Sequence, residues 1–341
     1  MEPIRIPNIR FNSELASTII ELERVRARLH QHTRTDLPLY DDLRKLFQNL
    51  SNIMSARIEG NRTTVLDALQ GVREGQSHDE GVQEILNLEK ASAYIDEAVT
   101  EEFVFTEMFI RELHALAMSG LDREGDTTPG SYRSTEVRIA QTAHRPPGPE
   151  SVPADMRELV EFMNESMSSQ YHLLQVAIVH HRFVWIHPFG NGNGRVSRLL
   201  TYAMLVKLGF TSASGYRALN PTVVFGSDRQ AYYEHLSIAD SLRDEDIEKW
   251  CLYVLHGVAS DMKNILDLSS SAFVLNELYG PALEKAYDEA LLTGKEAAVL
   301  LKIADSWEVS AGDVKDLLPG SSAVRSKQLK SLLDRDLLYR P

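Results

Sequence analysis

The chain of 341 residues is longer than one typical domain, so two or three folded units are expected. Hydrophobic residues make up 43% of it and charged residues 25%, which suits a packed core and excludes a wholly disordered chain. The formal net charge of −13 argues against a protein that coats nucleic acid or an anionic membrane. A single cysteine, Cys251, excludes an internal disulfide and a thiolate metal cluster.

Two features of the chain favour a cytoplasmic enzyme or regulator that makes no membrane contact. The first residues lack the apolar core of a signal peptide. The most apolar run, residues 173–186, is interrupted by two histidines and an arginine and is too short to cross a bilayer.

The predicted elements are almost all helices. Apolar residues recur at helical spacing over residues 15–29 and again over residues 43–58, and Gly60 with Asn61 should end the second helix. Further helices are predicted near residues 81–98, 103–118, 154–168, 171–186, 193–208, 228–240, 244–267 and 271–292.

One stretch, residues 127–153, departs from this helical pattern because it is rich in turn-forming proline and glycine. Within it, Val137, Arg138, Ile139 and Ala140 alternate apolar and non-apolar side chains, as a short strand does. The sequence therefore predicts a small β-hairpin with an exposed backbone edge.

The tail, residues 295–341, has an order of elements that resembles a winged-helix unit. Its three short helices are predicted near residues 295–305, 310–317 and 321–335. Eight basic residues nearly balance seven acidic ones there. DNA binding through Arg325, Lys327 and Lys330 therefore stays open, but packing or partner docking is the preferred interpretation.

The segment from His187 to Arg198 carries the chemistry. Its glycines let backbone N–H groups approach a ligand, and the helix that follows begins with unpaired N–H groups that attract an anion. Arg195 and Arg198 are three residues apart, so they share a helix face and can bind successive phosphates. An imidazole ordinarily titrates near neutrality, so His187 can accept a proton from an attacking hydroxyl. A core histidine beside a simple turn is the plainer alternative, but the combination favours a polyphosphate site.

The same segment resembles the signature of the Fic family (Fic/Doc proteins), His-x-Phe-x-[Asp/Glu]-Gly-Asn-Gly-Arg-x-x-Arg. The matching positions are His187, Phe189, Gly192, Asn193, Gly194, Arg195 and Arg198. The resemblance implies a mainly α, Fic-type helical bundle with a β-hairpin flap. It also implies transfer of AMP from Mg·ATP onto a Ser, Thr or Tyr hydroxyl of a target protein. The implied general base is His187, and the implied ligands are Gly192, Asn193, Gly194 and Arg195 for the α- and β-phosphates and Arg198 for the γ-phosphate.

One position departs from this signature. Asn191 stands where the family usually has a magnesium-binding Asp or Glu. An amide oxygen can bind a hard cation but adds no negative charge, so only weak metal binding is expected at Asn191. Weak Mg²⁺ binding, use of another divalent ion such as Mn²⁺, and altered chemistry are the three open consequences, and slower transfer is preferred.

The resemblance covers roughly residues 10–260. Residues 130–139 resemble the family's flap, so Val137, Arg138 and Ile139 would dock an extended target segment by strand addition. Residues 229–236 resemble the family segment near the adenine. Tyr232 or Tyr233 would then stack on the base, with aromatic core packing as an equal alternative.

The end of the second predicted helix resembles the family's inhibitory motif, [Ser/Thr]-x-x-x-Glu-[Gly/Asn]. Ser55 and Glu59 lie four residues apart on one helix face, and Gly60 and Asn61 follow. Taken alone, these residues describe an ordinary helix end with a solvated glutamate. The resemblance implies that Glu59 pairs with Arg198 and occupies the place of the γ-phosphate.

These patterns together predict an autoinhibited protein adenylyltransferase that uses ATP with Mg²⁺ or Mn²⁺. Its expected regions are an inhibitory helical region over residues 1–100, a Fic catalytic core over 101–268, and a winged-helix-like unit over 269–341. The alternatives are removal of AMP, transfer of UMP, phosphocholine or phosphate, and a binding module that senses a nucleotide without transferring it. A homodimer is left open.

Overall fold

The computed structural model of the chain is described over residues 3–31, 38–75, 77–121, 128–139, 144–210, 225–226, 228–268, 273–306, 309–335 and 337–338. The chain divides into two compact units. The first comprises Met1–Arg34 and Leu43–Ile265, and the second comprises Thr35–Asp42 and Leu266–Pro341.

The helices of the described residues confirm the mainly α class. In chain order they are α1 (Glu14–Gln31), α2 (Pro38–Ile58), α3 (Val65–Glu74), α4 (Glu80–Ala98), α5 (Glu107–Ala117), α6 (Val152–Asn164), α7 (His172–Ile186), α8 (Asn193–Lys207), α9 (Arg229–Ala239), α10 (Asp244–Leu268), α11 (Gly280–Asp288), α12 (Gly294–Ser306) and α13 (Ser322–Leu333). A 3₁₀ turn, Ser169–Tyr171, precedes α7, and a π-helical segment, Val274–Tyr279, precedes α11.

Several helices begin where a polar side chain caps the first turn. Thr64 Oγ1 accepts from the N–H of Asp67 at 3.1 Å to open α3, and Asp79 Oδ1 accepts from Val82 N–H at 3.0 Å to open α4. Thr106 opens α5 in the same way. Helix α3 is absent from the sequence prediction although its cap and the left-handed Gly75 after it are both readable signals.

Helix α2 ends at Ile58, close to the predicted stop. Gly60 adopts a φ of 102°, which a glycine accepts without strain. Its N–H donates to Arg57 O at 3.0 Å, and the N–H of Asn61 donates to Ala56 O at 3.1 Å. These bonds satisfy the last carbonyls of the helix and turn Glu59 out of it.

Helices α7 and α8 form the centre of the first unit. They pack against each other, while α7 also contacts α6 and α8 contacts α4 and α5. Almost every residue of α7 and α8 is buried, which is typical of helices enclosed on all sides. The loop that joins these two helices is the His187–Arg198 segment of the sequence analysis, so its start and end are held by the most buried elements of the unit.

The second unit has its own apolar core. Its buried members are Leu292, Val299, Leu300, Val314, Leu318 and Leu332. Helices α12 and α13 match two of the three predicted tail helices, but residues 311–317 form successive turns instead of the third. Gly312 and Pro319 bracket too few residues to offset the cost of starting a helix. The winged-helix assignment stays a prediction.

The predicted strand of the flap is not formed over residues 137–139, and Ala140 lies outside the described residues. A lone two-stranded hairpin is only marginally stable, which accounts for the difference. Val137 and Ile139 are nevertheless half-buried while Arg138 is exposed, the alternation that a strand would show. Among the helices described, none combines the length and the apolar character needed to span a bilayer.

Candidate active site

The loop between α7 and α8 opens with a strained residue. His187 adopts a left-handed conformation with φ of 52°, which is costly for a residue with a Cβ atom. Its N–H donates to Phe183 O at 3.0 Å, so His187 caps the C-terminus of α7. The chain then enters α8 through Gly192, whose φ is 73°.

A side chain inside the loop fixes its shape. Asn193 Oδ1 accepts from the N–H of Phe189 at 2.9 Å, and Asn193 Nδ2 donates to Phe189 O at 2.9 Å. The Phe189 ring is fully buried and stacks on His114 with centroids 3.7 Å apart. The amide side chain of Asn193 therefore shapes the loop, and its contribution to an anion would come from the backbone.

The start of α8 is suited to binding an anion. The N–H of Val196 donates to Gly192 O at 3.0 Å, so the N–H groups that precede it in the helix have no intrahelical acceptor. A Cβ atom on Gly194 would collide with Glu59 Oε1. A carboxylate therefore already lies against this helix end, and glycine at 194 is what lets it approach.

Glu59 is bound there by Arg198. Its Oε1 lies 2.8 Å from Arg198 Nη2, and the Arg198 side chain is 1% exposed while that of Glu59 is 25% exposed. Ser55 accepts twice from the same guanidinium, at 2.8 Å through Oγ and at 3.1 Å through its carbonyl. Burial raises the pKa of the Glu59 carboxyl, but Arg198 and Arg195 outweigh it, so that the pKa is lower than usual.

Arg195 has a carboxylate partner of its own, Glu84, which sequence reasoning missed. Glu84 Oε1 lies 2.8 Å from Arg195 Nη1, with side chains 7% and 0% exposed. Glu84 Oε2 accepts from Asn61 Nδ2 at 2.7 Å, which connects the end of the α2 segment to this pair. A separation of 111 residues between Glu84 and Arg195 leaves no local pattern that predicts the contact.

The ring of His187 is held as a neutral imidazole. Its Nδ1 lies 3.1 Å from Val184 O, and because a carbonyl can only accept, Nδ1 carries the hydrogen and Nε2 the lone pair. Burial lowers the pKa of the ring to about 4, the Val184 carbonyl raises it, Arg133 lowers it, and Glu59 raises it again. The imidazole is therefore unprotonated near pH 7.

Two further residues that the sequence analysis did not identify tie the flap to this loop. The N–H of Gly130 donates to His114 Nδ1 at 2.8 Å, which leaves Nε2 to donate to Asn191 O at 3.1 Å. Arg133 donates from Nε to His187 O at 2.7 Å. In the sequence, Arg133 is marked only by its place within the predicted flap, at the end of residues 130–133, and this place does not reveal its hydrogen-bond partner.

The two tyrosines expected near the adenine have different surroundings. Tyr232 is 2% exposed, and its hydroxyl lies 2.9 Å from His180 Nε2 among the rings of Phe225 and Trp250. A ring enclosed in this way cannot stack on a base, so core packing is the correct alternative for Tyr232. Tyr233 is half-buried, with the Arg229 guanidinium 5.5 Å from its ring centroid.

The residues around Asn191 do not fit a resident magnesium ion. Its Oδ1 already accepts from the N–H of Gly192 at 2.7 Å, and it offers at most one neutral oxygen. Within the described ranges, no three histidine, cysteine or carboxylate side chains gather where they could hold a metal. Any Mg²⁺ or Mn²⁺ here would depend on the oxygens of a bound nucleotide.

Comparison with known sequences finds a family match over the part of the chain that contains this loop. Residues 104–205 match the profile of the Fic/DOC family. Proteins named protein adenylyltransferase Fic from Drosophila grimshawi and Drosophila melanogaster are 32% identical over 194 residues. The match covers 54% of this chain but 37% and 36% of those relatives, so the chain matches little more than a third of their length.

Solved structures agree on the fold. A Fic family protein from Desulfovibrio desulfuricans superposes with a TM-score of 0.62 at 21% identity, over 97% of this chain and 92% of that one. The Fic-1 protein of C. elegans superposes with a TM-score of 0.58 at 19% identity, over 74% and 72% of the two chains. The part of this chain that matches the Fic/DOC family is therefore residues 104–205, which include the signature loop between two buried helices.

Proposed function

We propose that this chain is a protein adenylyltransferase that transfers AMP from ATP to a hydroxyl side chain of a target protein, and that Glu59 holds it inactive. The observation that carries the proposal is the Glu59 carboxylate bound to Arg198 at the N-terminus of α8, in the loop that begins at His187. The names of the relatives support the same activity.

The proposed reaction uses groups whose positions are described. Nε2 of His187 takes the proton from the target hydroxyl, whose oxygen forms a bond to the α-phosphorus. The bond from that phosphorus to the bridging oxygen breaks, and pyrophosphate leaves. The first N–H groups of α8 and Arg198 stabilise the phosphates, because both carry positive charge towards them.

The proposed inhibition is a competition for one guanidinium. Because Glu84 already accepts from Arg195, Arg198 is the arginine that would exchange Glu59 for the γ-phosphate. While Glu59 is bound, ATP can enter only in a pose unsuited to in-line attack. Charge-assisted hydrogen bonds are worth about 1.5–3 kcal/mol, which corresponds to a rate change of about ten- to a hundredfold.

The roles of the remaining predicted residues are part of the same proposal. Val137, Arg138 and Ile139 would pair with an extended target segment, in keeping with their alternating exposure. Tyr233 would stack on the adenine, since Tyr232 is enclosed in the core. ATP would bring Mg²⁺ or Mn²⁺ with it, and Asn191 would add a weak ligand at most.

The decisive experiment compares wild type with Glu59→Gly, using labelled ATP in a cell lysate and mass spectrometry of the labelled proteins. We expect incorporation of AMP to rise about ten- to a hundredfold in the variant. Glu97→Gln, which changes an exposed glutamate of α4, is the matched control and should behave as wild type. Equal labelling by wild type and Glu59→Gly would reject the proposal.

Asn191 supports a second candidate, a module that binds a nucleotide without transferring it. Its neutral amide stands at the position where the family has a metal-binding carboxylate, and its oxygen is bonded to Gly192. Calorimetric titration with ATP, with and without Mg²⁺ or Mn²⁺, separates the two. Tight ATP binding that is equal with and without the metal, together with no labelled product, would favour the nucleotide-binding module. Incubation with a pre-modified target would detect removal of AMP.

We further propose the division of labour expected from the sequence: inhibition in residues 1–100, catalysis in 101–268, and partner docking in 269–341. Two observations support docking over DNA binding in the last region. The nearly balanced charge is one. The other is Arg325, whose guanidinium donates to Ala311 O and Gly320 O. A salt-dependent shift of duplex DNA by the protein would contradict this assignment.

A further inference from the structure

Arg133 is a buried cation surrounded by carbonyl oxygens. It is 7% exposed and belongs to residues 128–139, which connect α5 to α6 and include the flap. Its backbone N–H donates to Pro188 O at 2.9 Å. A guanidinium removed from water in this way is costly, so its hydrogen bonds must compensate.

The acceptors of the guanidinium come from three segments of the chain. Nε donates to His187 O at 2.7 Å, and Nη2 donates to Ile186 O at 3.3 Å and to Pro147 O. Nη1 donates to Thr135 O at 3.1 Å. Two of these oxygens lie where α7 ends, and there the helix dipole and the unpaired carbonyls both favour a positive charge.

Together with two contacts inside α7, the bond from Arg133 engages both backbone hydrogen-bonding groups and one ring nitrogen of His187. The N–H of His187 is bound to Phe183 O, its carbonyl to Arg133, and its ring Nδ1 to Val184 O at 3.1 Å. The left-handed backbone at His187, with φ of 52°, is unfavourable for a histidine and must be imposed by such contacts. Only Nε2 is left for a reaction.

We propose that Arg133 is a positioning residue for the general base: its forked guanidinium fixes the left-handed turn at His187 and thereby aims Nε2 at the target hydroxyl. The role rests on the proposed transfer of AMP. It also explains how the flap and the base stay in register, because the same short segment that carries Val137 to Ile139 holds His187 through Arg133.

The charge of Arg133 has a separate, measurable consequence for the base. Burial lowers the pKa of the imidazole and the Val184 carbonyl raises it; among the charged or titratable groups that act on the ring, Arg133 and His144 lower this pKa and Glu59 raises it. Removal of the Arg133 charge should therefore raise the pKa of His187. Arg133→Lys keeps the charge and should leave that pKa close to its wild-type value, so the comparison of the two variants separates the effect of the charge from a change in burial.

The test compares Arg133→Met and Arg133→Lys in the Glu59→Gly background, with Arg157→Met as the control for an exposed arginine. We expect Arg133→Met to lower kcat for AMP transfer about ten- to a hundredfold while KM for ATP changes less than about twofold. The acid limb of the pH–rate profile of Arg133→Met should move upwards by about one pH unit. Arg133→Lys keeps the charge but loses the fork, so it should lose about tenfold in kcat without moving the acid limb.

The results that overturn the proposal are specific. An unchanged kcat in Arg133→Lys would overturn the proposal by itself, even if Arg133→Met fails to fold. Equal losses in both variants with no movement of the acid limb would do so as well. NMR of the histidine rings gives a readout that needs no transfer: Arg133→Met should raise the pKa of His187 and reduce the Nδ1–H tautomer. If no variant transfers AMP but this change is seen, the proposed function fails, while the finding that Arg133 positions the His187 ring stands.

Discussion

Two ion pairs on one helix face of α8 differ in what surrounds them. Arg195 with Glu84 and Arg198 with Glu59 each close at 2.8 Å. Glu84 belongs to the interior of α4 and is 7% exposed, whereas Glu59 follows the last residue of α2 and is 25% exposed. The first pair is part of the core, and the second can be displaced without taking the core apart.

The contrast explains how one anion site can be both stable and releasable. A buried pair that loses one partner leaves an uncompensated charge, which is strongly destabilising. A pair that solvent and ligand can reach costs little to open, because water or phosphate replaces the carboxylate. Under the proposed function, Glu84 would keep Arg195 in place while Glu59 exchanges with a nucleotide on Arg198.

The largest expected effect tests this contrast directly. Glu84→Gln should lower the free energy of unfolding by about 3–5 kcal/mol because it removes a buried counter-charge of Arg195. Glu59→Gln should cost less, because the Glu59 side chain is 25% exposed and water can replace part of its contact with Arg198. Urea denaturation followed by tryptophan fluorescence measures both. Equal losses in the two variants would abolish the distinction between a core pair and a releasable pair.

The next prediction concerns His187, which belongs to neither of the two ion pairs. In the Glu59→Gly background, His187→Ala should reduce AMP transfer at least about a hundredfold, the lower range for general acid–base catalysis. Stability should remain close to that of the parent because neither ion pair involves His187. His256→Ala, at an exposed histidine, is the control. Turnover near that of the parent would remove His187 from the role of base.

A smaller effect is expected at Ser55, which contacts the arginine of the releasable pair. Ser55→Ala removes the acceptor for Arg198 Nε and loosens the guanidinium that holds Glu59. One hydrogen bond of about 1 kcal/mol corresponds to about a fivefold rise in basal transfer. In the Glu59→Gly background the same substitution should add no further increase, because the contact that it weakens is already gone. An additive increase would mean that Ser55 acts elsewhere.

The inhibition by Glu59 should not depend on pH across the neutral range. The pKa of Glu59 is lowered from its usual 4.5, so the pair with Arg198 stays charged and its contribution is lost only as the pH falls through that lowered value. The His187 pKa of about 4 keeps the ring neutral over the same range. The ratio of Glu59→Gly to wild-type activity should therefore be constant from about pH 6 to 8. A ratio that falls towards pH 6 would contradict the assigned charge states.

Local patterns predicted the parts of this molecule that local physics determines. Periodicity predicted most of the helices, although it missed α3 and predicted a helix near residues 310–317 that is a run of turns. Helix α2 ends within two residues of Gly60, where a stop was expected. Tyr232 remained ambiguous, since a tyrosine looks the same in a sequence whether it lines a pocket or fills a core. The expected strand at 137–139 depends on a pairing partner, which a short hydrophobic alternation does not reveal.

Long-range contacts could not be predicted in the same way. Glu84 and Arg195 are separated by 111 residues, and Arg133 and His187 by 54. No spacing rule relates such positions, because the contact exists only after α4, α7 and the flap have packed. The pairing of Glu59 with Arg198 was accessible only through the resemblance of both segments to family motifs.

A crystal structure of Glu59→Gly bound to a non-hydrolysable ATP analogue would show whether the nucleotide takes the place of Glu59. We expect the terminal phosphate to occupy the position of the Glu59 carboxylate against Arg198, with the Glu84–Arg195 pair unchanged and Nε2 of His187 facing the α-phosphate. A triphosphate bound away from the start of α8, or a His187 ring turned into the interior, would contradict the account.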